Sequence, residues 1–134
     1  MTRTTAFLLL ALCVGLAGCG PAQSGAGNEA TNNGELVYIG TYTGEKSQGI
    51  YAFRFDPATG SLTSLGLAAE TRNPSFLALH PNGRFLYAVN EVSDFDDQRS
   101  GSVSAFAIDR ETGKLTLLNT QASGGGSPCY LVVD

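Results

Sequence analysis

The sequence predicts an all-β fold assembled from repeated four-stranded antiparallel units. Three observations predict it. First, a stretch reading GIYAFRFDPATGSLTSL from Gly49 recurs as GSVSAFAIDRETGKLTLL from Gly101. Ala52-Phe53 falls over Ala105-Phe106, Asp56 over Asp109, Gly60 over Gly113 and Leu62-Thr63 over Leu115-Thr116, each pair 53 positions apart. A period near 50 residues marks a repeat architecture. Second, the apolar residues are rich in Phe, Tyr, Val and Leu and come in short runs between turn residues, as in all-β chains. Third, no helical period persists beyond residue 19.

The first segment reads as an address. Arg3 gives a positive start, residues 6–14 are a short apolar run, and the run ends Leu16-Ala17-Gly18-Cys19. That run is too short to span a bilayer. The pattern resembles the bacterial lipobox, in which cleavage precedes a cysteine that is then lipidated. The expectation is a lipoprotein signal over 1–18 and a lipid-carrying Cys19. Gly20, rather than Asp, leans the destination toward the outer membrane, facing the periplasm. Residues 21–34 are mostly Gly, Ala, Ser, Asn and Gln, too poor in large apolar groups to offset ordering entropy. With Cys19 they read as a flexible tether over 19–35, reaching on the order of 20 Å.

The folded part is then expected over 36–134. Residues 36–43 (LVYIGTYT) read as a strand and 44–49 as a polar loop. In the first hairpin Ile50, Ala52 and Arg54 alternate with Tyr51, Phe53 and Phe55, giving a strand with two sides. Asp56 to Gly60 supply its turn, with Asp bonding the backbone ahead and Gly in the left-handed position. Residues 67–73 read as an irregular connection, 74–80 as a strand, Pro81-Asn82-Gly83 as a tight turn, 84–90 as the returning strand and 91–100 as a polar loop. The second hairpin copy follows, then a glycine-rich loop, then a strand over 128–134.

The repeat extends past the hairpin. Asn73-Pro74-Ser75-Phe76 parallels Ser127-Pro128-Cys129-Tyr130, and Val37-Tyr38-Ile39 parallels Leu86-Tyr87-Ala88. A repeated four-stranded antiparallel unit is a β-propeller blade, so the chain reads as about two blades plus one strand. Such blades bury their faces only by stacking. The sequence therefore reads as the N-terminal part of a longer propeller, inactive and poorly soluble by itself. A small open sandwich is the competing arrangement, but it would expose apolar faces and sheet edges.

The totals exclude some functions. The formal net charge of −4 over 134 residues leaves no basic footprint for nucleic acid. Of three cysteines, Cys13 lies in the signal and Cys19 is the lipidation candidate, leaving Cys129 without an internal partner. Cys129 has no basic neighbour in sequence to activate it and reads as a small buried residue at a strand start.

YIGTYTG from Tyr38, the D-x-x-T-G-x-L turns, NPSFLALHPNGRFLYAVNE from Asn73 and SPCYLVVD from Ser127 together resemble the seven-bladed β-propeller lactonase family. That family includes the bacterial 6-phosphogluconolactonase propellers and is related to carboxymuconate-cyclising enzymes. The resemblance covers nearly all of 36–134. It implies hydrolysis of a sugar lactone to the aldonic acid. The chain is expected to act as a monomer, without a cofactor or metal. Such chemistry needs a base for water and a cation or fixed N–H donors for the oxyanion. A propeller that binds a ligand or protein partner without catalysis is the alternative.

Blade geometry sorts the polar residues. The loops after the second and fourth strands of each unit share one face, which carries the longer loops and is the expected site. Glu91 closes a strand there and is the candidate catalytic carboxylate. Thr41, Tyr42, Asn90 and Tyr130 are the candidate substrate-binding residues. At Tyr130 the chain departs from the resemblance, because family members often carry His after Pro-Cys, and a phenol is a poor base near neutral pH. His80, the one histidine, falls in a turn on the opposite face. Asp94, Asp96 and Asp97 lack the Gly and terminal Glu of an EF-hand and read as a solvated loop, partly neutralised by Arg99. Gly124 to Gly126 read as a mobile turn.

Overall fold

A computed structural model describes residues 34–134. The expected signal, Cys19 and almost all of the expected tether lie outside the described residues. Among the described residues seven strands form two antiparallel sheets. The first has the order β1 (Glu35–Ile39), β2 (Gly49–Asp56), β3 (Ser61–Glu70). The second has the order β4 (Phe76–Leu79), β5 (Phe85–Asn90), β6 (Ser102–Ile108), β7 (Leu115–Ala122). The second sheet is a complete four-stranded unit, and the first contains the counterparts of its last three strands. The repeat reaches into irregularities: the β2–β3 ladder shifts register between Ala52 and Phe53, and the β6–β7 ladder between the matching Ala105 and Phe106.

The two hairpin turns are built alike. Asp56 accepts the Ala58 N–H and the Thr59 hydroxyl on its two carboxylate oxygens. Asp109 does the same with the Glu111 N–H and the Thr112 hydroxyl. Gly60 and Gly113 close the turns, each at φ 73°. The threonine hydroxyl first, and then the backbone N–H groups, hold both carboxyls below the usual carboxylate range. This stabilisation is present above the ordinary Asp range and is lost as pH falls through the depressed folded values. These acids are scaffold, as the turn reading expected.

The core lies between the sheets. In the ladders Leu36 faces Arg54 and Tyr38 faces Ala52, so these share one face with Ile50. On the other sheet Leu86 faces Phe106, Leu77 faces Ala88 and Ile108 faces Leu115. Ile50, Ala52, Ala68, Leu86, Ala88, Phe106 and Leu115 form one buried cluster. Burying side chains such as Phe106 and Leu86 from water contributes roughly 1.5–3 kcal/mol each.

Polar groups pin this packing at the turn end. Arg54 reaches across to the carbonyls of Arg110 (2.6 Å) and Glu111 (2.8 Å) and back to that of Gly34 (3.1 Å). Lys114 Nζ donates to the Leu67 carbonyl. A cleft of about 420 Å³ lies beside Arg54, lined also by Tyr38, Leu79 and Arg110. It lies at the opposite end from Glu91. His80 is at this end too, where its Nδ1 accepts the Asn82 N–H.

Several expectations change. β1 ends at Ile39 rather than Thr43. Gly40 packs on the Pro74 carbonyl so closely that a Cβ would lie 1.9 Å from that oxygen, which turns the chain out of the ladder. Residues 67–70 are not irregular, because β3 continues to Glu70 opposite Gly49. Residues 128–134 form no strand. A strand exists through its ladder, and this segment has no hydrogen-bonded neighbour among the described residues. Cys129 is accordingly exposed, not buried. Asp94 pairs with Arg72 at 2.9 Å rather than with Arg99. Both partners are largely exposed, so the pair contributes little to stability.

The two turn glycines should respond differently to the same change. A Cβ at Gly60 meets open space, whereas one at Gly113 would sit 2.8 Å from Leu65 Cδ1 and 3.2 Å from Ala52 Cβ. Gly60→Ala is expected to cost about 1–2 kcal/mol for its left-handed backbone. Gly113→Ala should cost about 1–3 kcal/mol more from overpacking, read by urea unfolding. Arg54→Ala should cost about 1–2 kcal/mol, and Arg54→Lys should restore little of it, because an ammonium lacks the guanidinium fork.

Candidate functional site

The loop end of the molecule is organised by Asn73, which holds a left-handed backbone (φ 42°) that Asn tolerates better than most residues. Its carbonyl accepts the Ser75 N–H at 2.8 Å and the Glu91 N–H at 3.0 Å. Its side-chain oxygen accepts both the backbone N–H and the hydroxyl of Thr43, each at 2.9 Å. Its side-chain nitrogen donates to the Glu91 carbonyl at 3.2 Å. One residue thus ties together the loop after β1, the segment before β4 and the end of β5.

That tie brings two of the sequence-derived candidates together. The Tyr42 hydroxyl donates to Glu91 Oε2 at 2.8 Å. The two residues follow strands of different sheets, Tyr42 after β1 and Glu91 after β5. No hydrogen bond to Oε1 is formed among the described residues. Ser75 stands beside the pair. Its Oγ is buried and has no partner of full hydrogen-bond geometry, yet it is near enough to favour the charged carboxylate. The Ser75 hydroxyl first, and the Tyr42 hydroxyl second, hold the Glu91 carboxyl below the usual carboxylate range. The Tyr42 hydroxyl is pushed up in turn, chiefly by its bond to Glu91. The Cys129 thiol is also close enough to Tyr42 to add to that rise.

The other candidates are placed elsewhere. Thr41 Oγ1 donates to the Gly49 carbonyl at 2.7 Å and is paired with the Ser47 hydroxyl. Asn90 is 4% exposed. Its side-chain nitrogen donates to Thr71 Oγ1 (2.7 Å) and the Arg72 carbonyl (2.6 Å). Its side-chain oxygen accepts the hydroxyls of Ser104 (2.6 Å) and Ser102 (3.3 Å). All four of its hydrogen-bonding positions are therefore used within the protein, beside a hydroxyl-rich cavity of about 190 Å³. Tyr130 is 67% exposed, and its ring packs on Phe76 with centroids 4.8 Å apart.

Asn73 and Ser75 were missed as site residues by sequence reasoning. A signal for them was present. Asn73-Pro74 and Ser127-Pro128 occupy matching repeat positions, and both Asn73 and Ser127 take positive φ. Each proline corner is also received by a glycine, since a Cβ at Gly101 would lie 2.1 Å from Pro128 Cδ.

Ionised Glu91, with Oε2 held by Tyr42, can accept from a water or a hydroxyl. Among the described residues no three His, Cys, Asp or Glu side chains gather as metal ligands do.

Comparison with known proteins agrees with this architecture. Residues 36–134 match the family described as Lactonase, 7-bladed beta-propeller. The chain is 41% identical over 99 residues to the 6-phosphogluconolactonase of Bacillus subtilis, covering 74% of this chain and 27% of that protein. It superposes with a TM-score of 0.67 and 46% identity on a Bacteroides fragilis structure described as a candidate 6-phosphogluconolactonase, over 78% of this chain and 28% of that one. For a periplasmic gluconolactonase of Pseudomonas aeruginosa the TM-score is 0.60 and the identity 34%, over 69% and 26%. The chain thus spans about a quarter of the length of these relatives. Its paired sheets, its repeat and its match across the whole described domain show that it belongs to the seven-bladed β-propeller lactonase family.

Proposed function

We propose that the protein hydrolyses a sugar lactone to the open aldonic acid, as a 6-phosphogluconolactonase-type enzyme of the bacterial cell envelope. The observation that carries this reading is the Tyr42–Glu91 pair on the loop face of a chain from the lactonase family. Glu91 Oε1 accepts from the attacking water or from a substrate hydroxyl, while Tyr42 fixes the other oxygen. A carboxyl held below its usual range is a weak proton acceptor, so its main contribution is to orient the water and the sugar. Tyr130, exposed at the same end, supplies a ring face for the substrate. Thr41 and Asn90 act through the loops they brace.

The envelope location rests on the lipobox-like Leu-Ala-Gly-Cys and is supported by likeness to a protein described as periplasmic. In this reading lipid on Cys19 anchors a monomer to the outer membrane. An envelope site favours an unphosphorylated lactone.

With the intact protein, a proton-release assay on gluconolactone and its 6-phosphate should show turnover above the spontaneous rate. No excess rate with either would sink the activity and favour a non-catalytic binding propeller. Glu91→Gln should lower kcat/KM by about 10²-fold, the scale of a lost positioning contact. Because the folded carboxyl lies low, activity that needs it charged should persist as pH falls and fail only below the ordinary Glu value of about 4.3. An acid limb near neutrality would exclude Glu91 as the group responsible.

A further inference from the structure

We propose that Ser75 is a positioning residue for Glu91, its hydroxyl turning onto the carboxylate to fix its direction beside Tyr42. This deepens the lactonase reading and rests on it for its catalytic meaning, although the contact itself can be tested without turnover.

Geometry carries the inference. The Ser75 and Glu91 N–H groups converge on one oxygen, the Asn73 carbonyl, at 2.8 and 3.0 Å. Two donors sharing one acceptor cannot be far apart, so the two residues are held side by side by backbone alone. The Ser75 hydroxyl is buried, and among the described residues it has no partner of full geometry. A buried hydroxyl left without a partner costs about 1–3 kcal/mol, and a hydroxyl hydrogen rotates freely to meet an acceptor. The Tyr42 hydroxyl and the Glu91 carboxylate both stand next to it, and of the two only Glu91 is a charged acceptor. The preceding Pro74 is almost fully buried and packs its carbonyl against Gly40, so the segment presenting Ser75 has little freedom to turn away. The matching repeat position holds Cys129, a weaker donor that is exposed, so the arrangement is particular to this corner.

The groups facing Glu91 are few. Tyr42 comes from the loop after β1 and Ser75 from the segment before β4, with the Cys129 thiol beyond Tyr42. Arg72, in the loop after β3, is engaged by Asp94. Removing the Ser75 hydroxyl should therefore be felt at Glu91 directly.

The test is carbon NMR of glutamate carboxyls in the intact protein, with the Glu91 signal assigned by its loss in Glu91→Gln. In Ser75→Ala the Glu91 midpoint should move to higher pH, and Ser75→Thr should return it toward wild type. In the lactone assay the acid limb of kcat should move the same way, with KM changed less than kcat. At a pH inside that window the loss in kcat approaches tenfold for each pH unit of displacement. An unmoved Glu91 midpoint in a folded Ser75→Ala protein overturns the proposal. A shifted midpoint in a protein that hydrolyses no lactone would uphold the Ser75–Glu91 contact and count against the enzymatic reading alone.

Discussion

Everything at the loop end depends on the burial of one sheet face against the other. Neither sheet can hide Ile50, Leu86 or Phe106 by itself, and their shared core holds β1 and β5 in fixed relation. Only with that relation set can Tyr42, after β1, reach Glu91, after β5. Arg54 and Lys114 reinforce the same contact by donating to carbonyls of the opposite sheet. The strength of the hydrophobic term and the directionality of the polar one divide the work: the first brings the sheets together, the second sets their alignment.

Asn73 converts that alignment into local geometry. Its left-handed backbone and amide side chain engage three segments at once, so the Glu91 carboxylate is presented by a braced strand end rather than by a free loop. A site built this way loses less conformational entropy on binding than one on a mobile loop. The neighbouring Asn90 braces the strand from its other side through buried hydroxyls.

The fold was legible because its signals are local and repeated. The Asp and Gly of each hairpin turn are required by backbone geometry, and both appear in the structure with the bonds and the φ expected of them. Glu91 and Tyr42 could be placed on one face by counting strands. Their direct contact could not be read, because it depends on how two sheets pack. Asn73 and Ser75 were hidden for a related reason: an Asn before Pro reads as an ordinary turn, and its service as a hub shows only when three distant segments meet. The ends of elements were read least well. Gly40 stops β1 early through a close approach to Pro74 that no local pattern announces. Residues 128–134 carry strand-forming side chains, yet a ladder needs a neighbour as well as a propensity.

The central claim is that Tyr42 and Glu91 act as one unit across the two sheets in lactone hydrolysis. A double-mutant cycle of Tyr42→Phe and Glu91→Gln, read as kcat/KM on gluconolactone with the intact protein, measures this directly. If the pair is a unit, the double variant should lose little more than Glu91→Gln alone, with a coupling of about 0.5–3 kcal/mol. Losses that simply add would show the two residues acting independently and would contradict it.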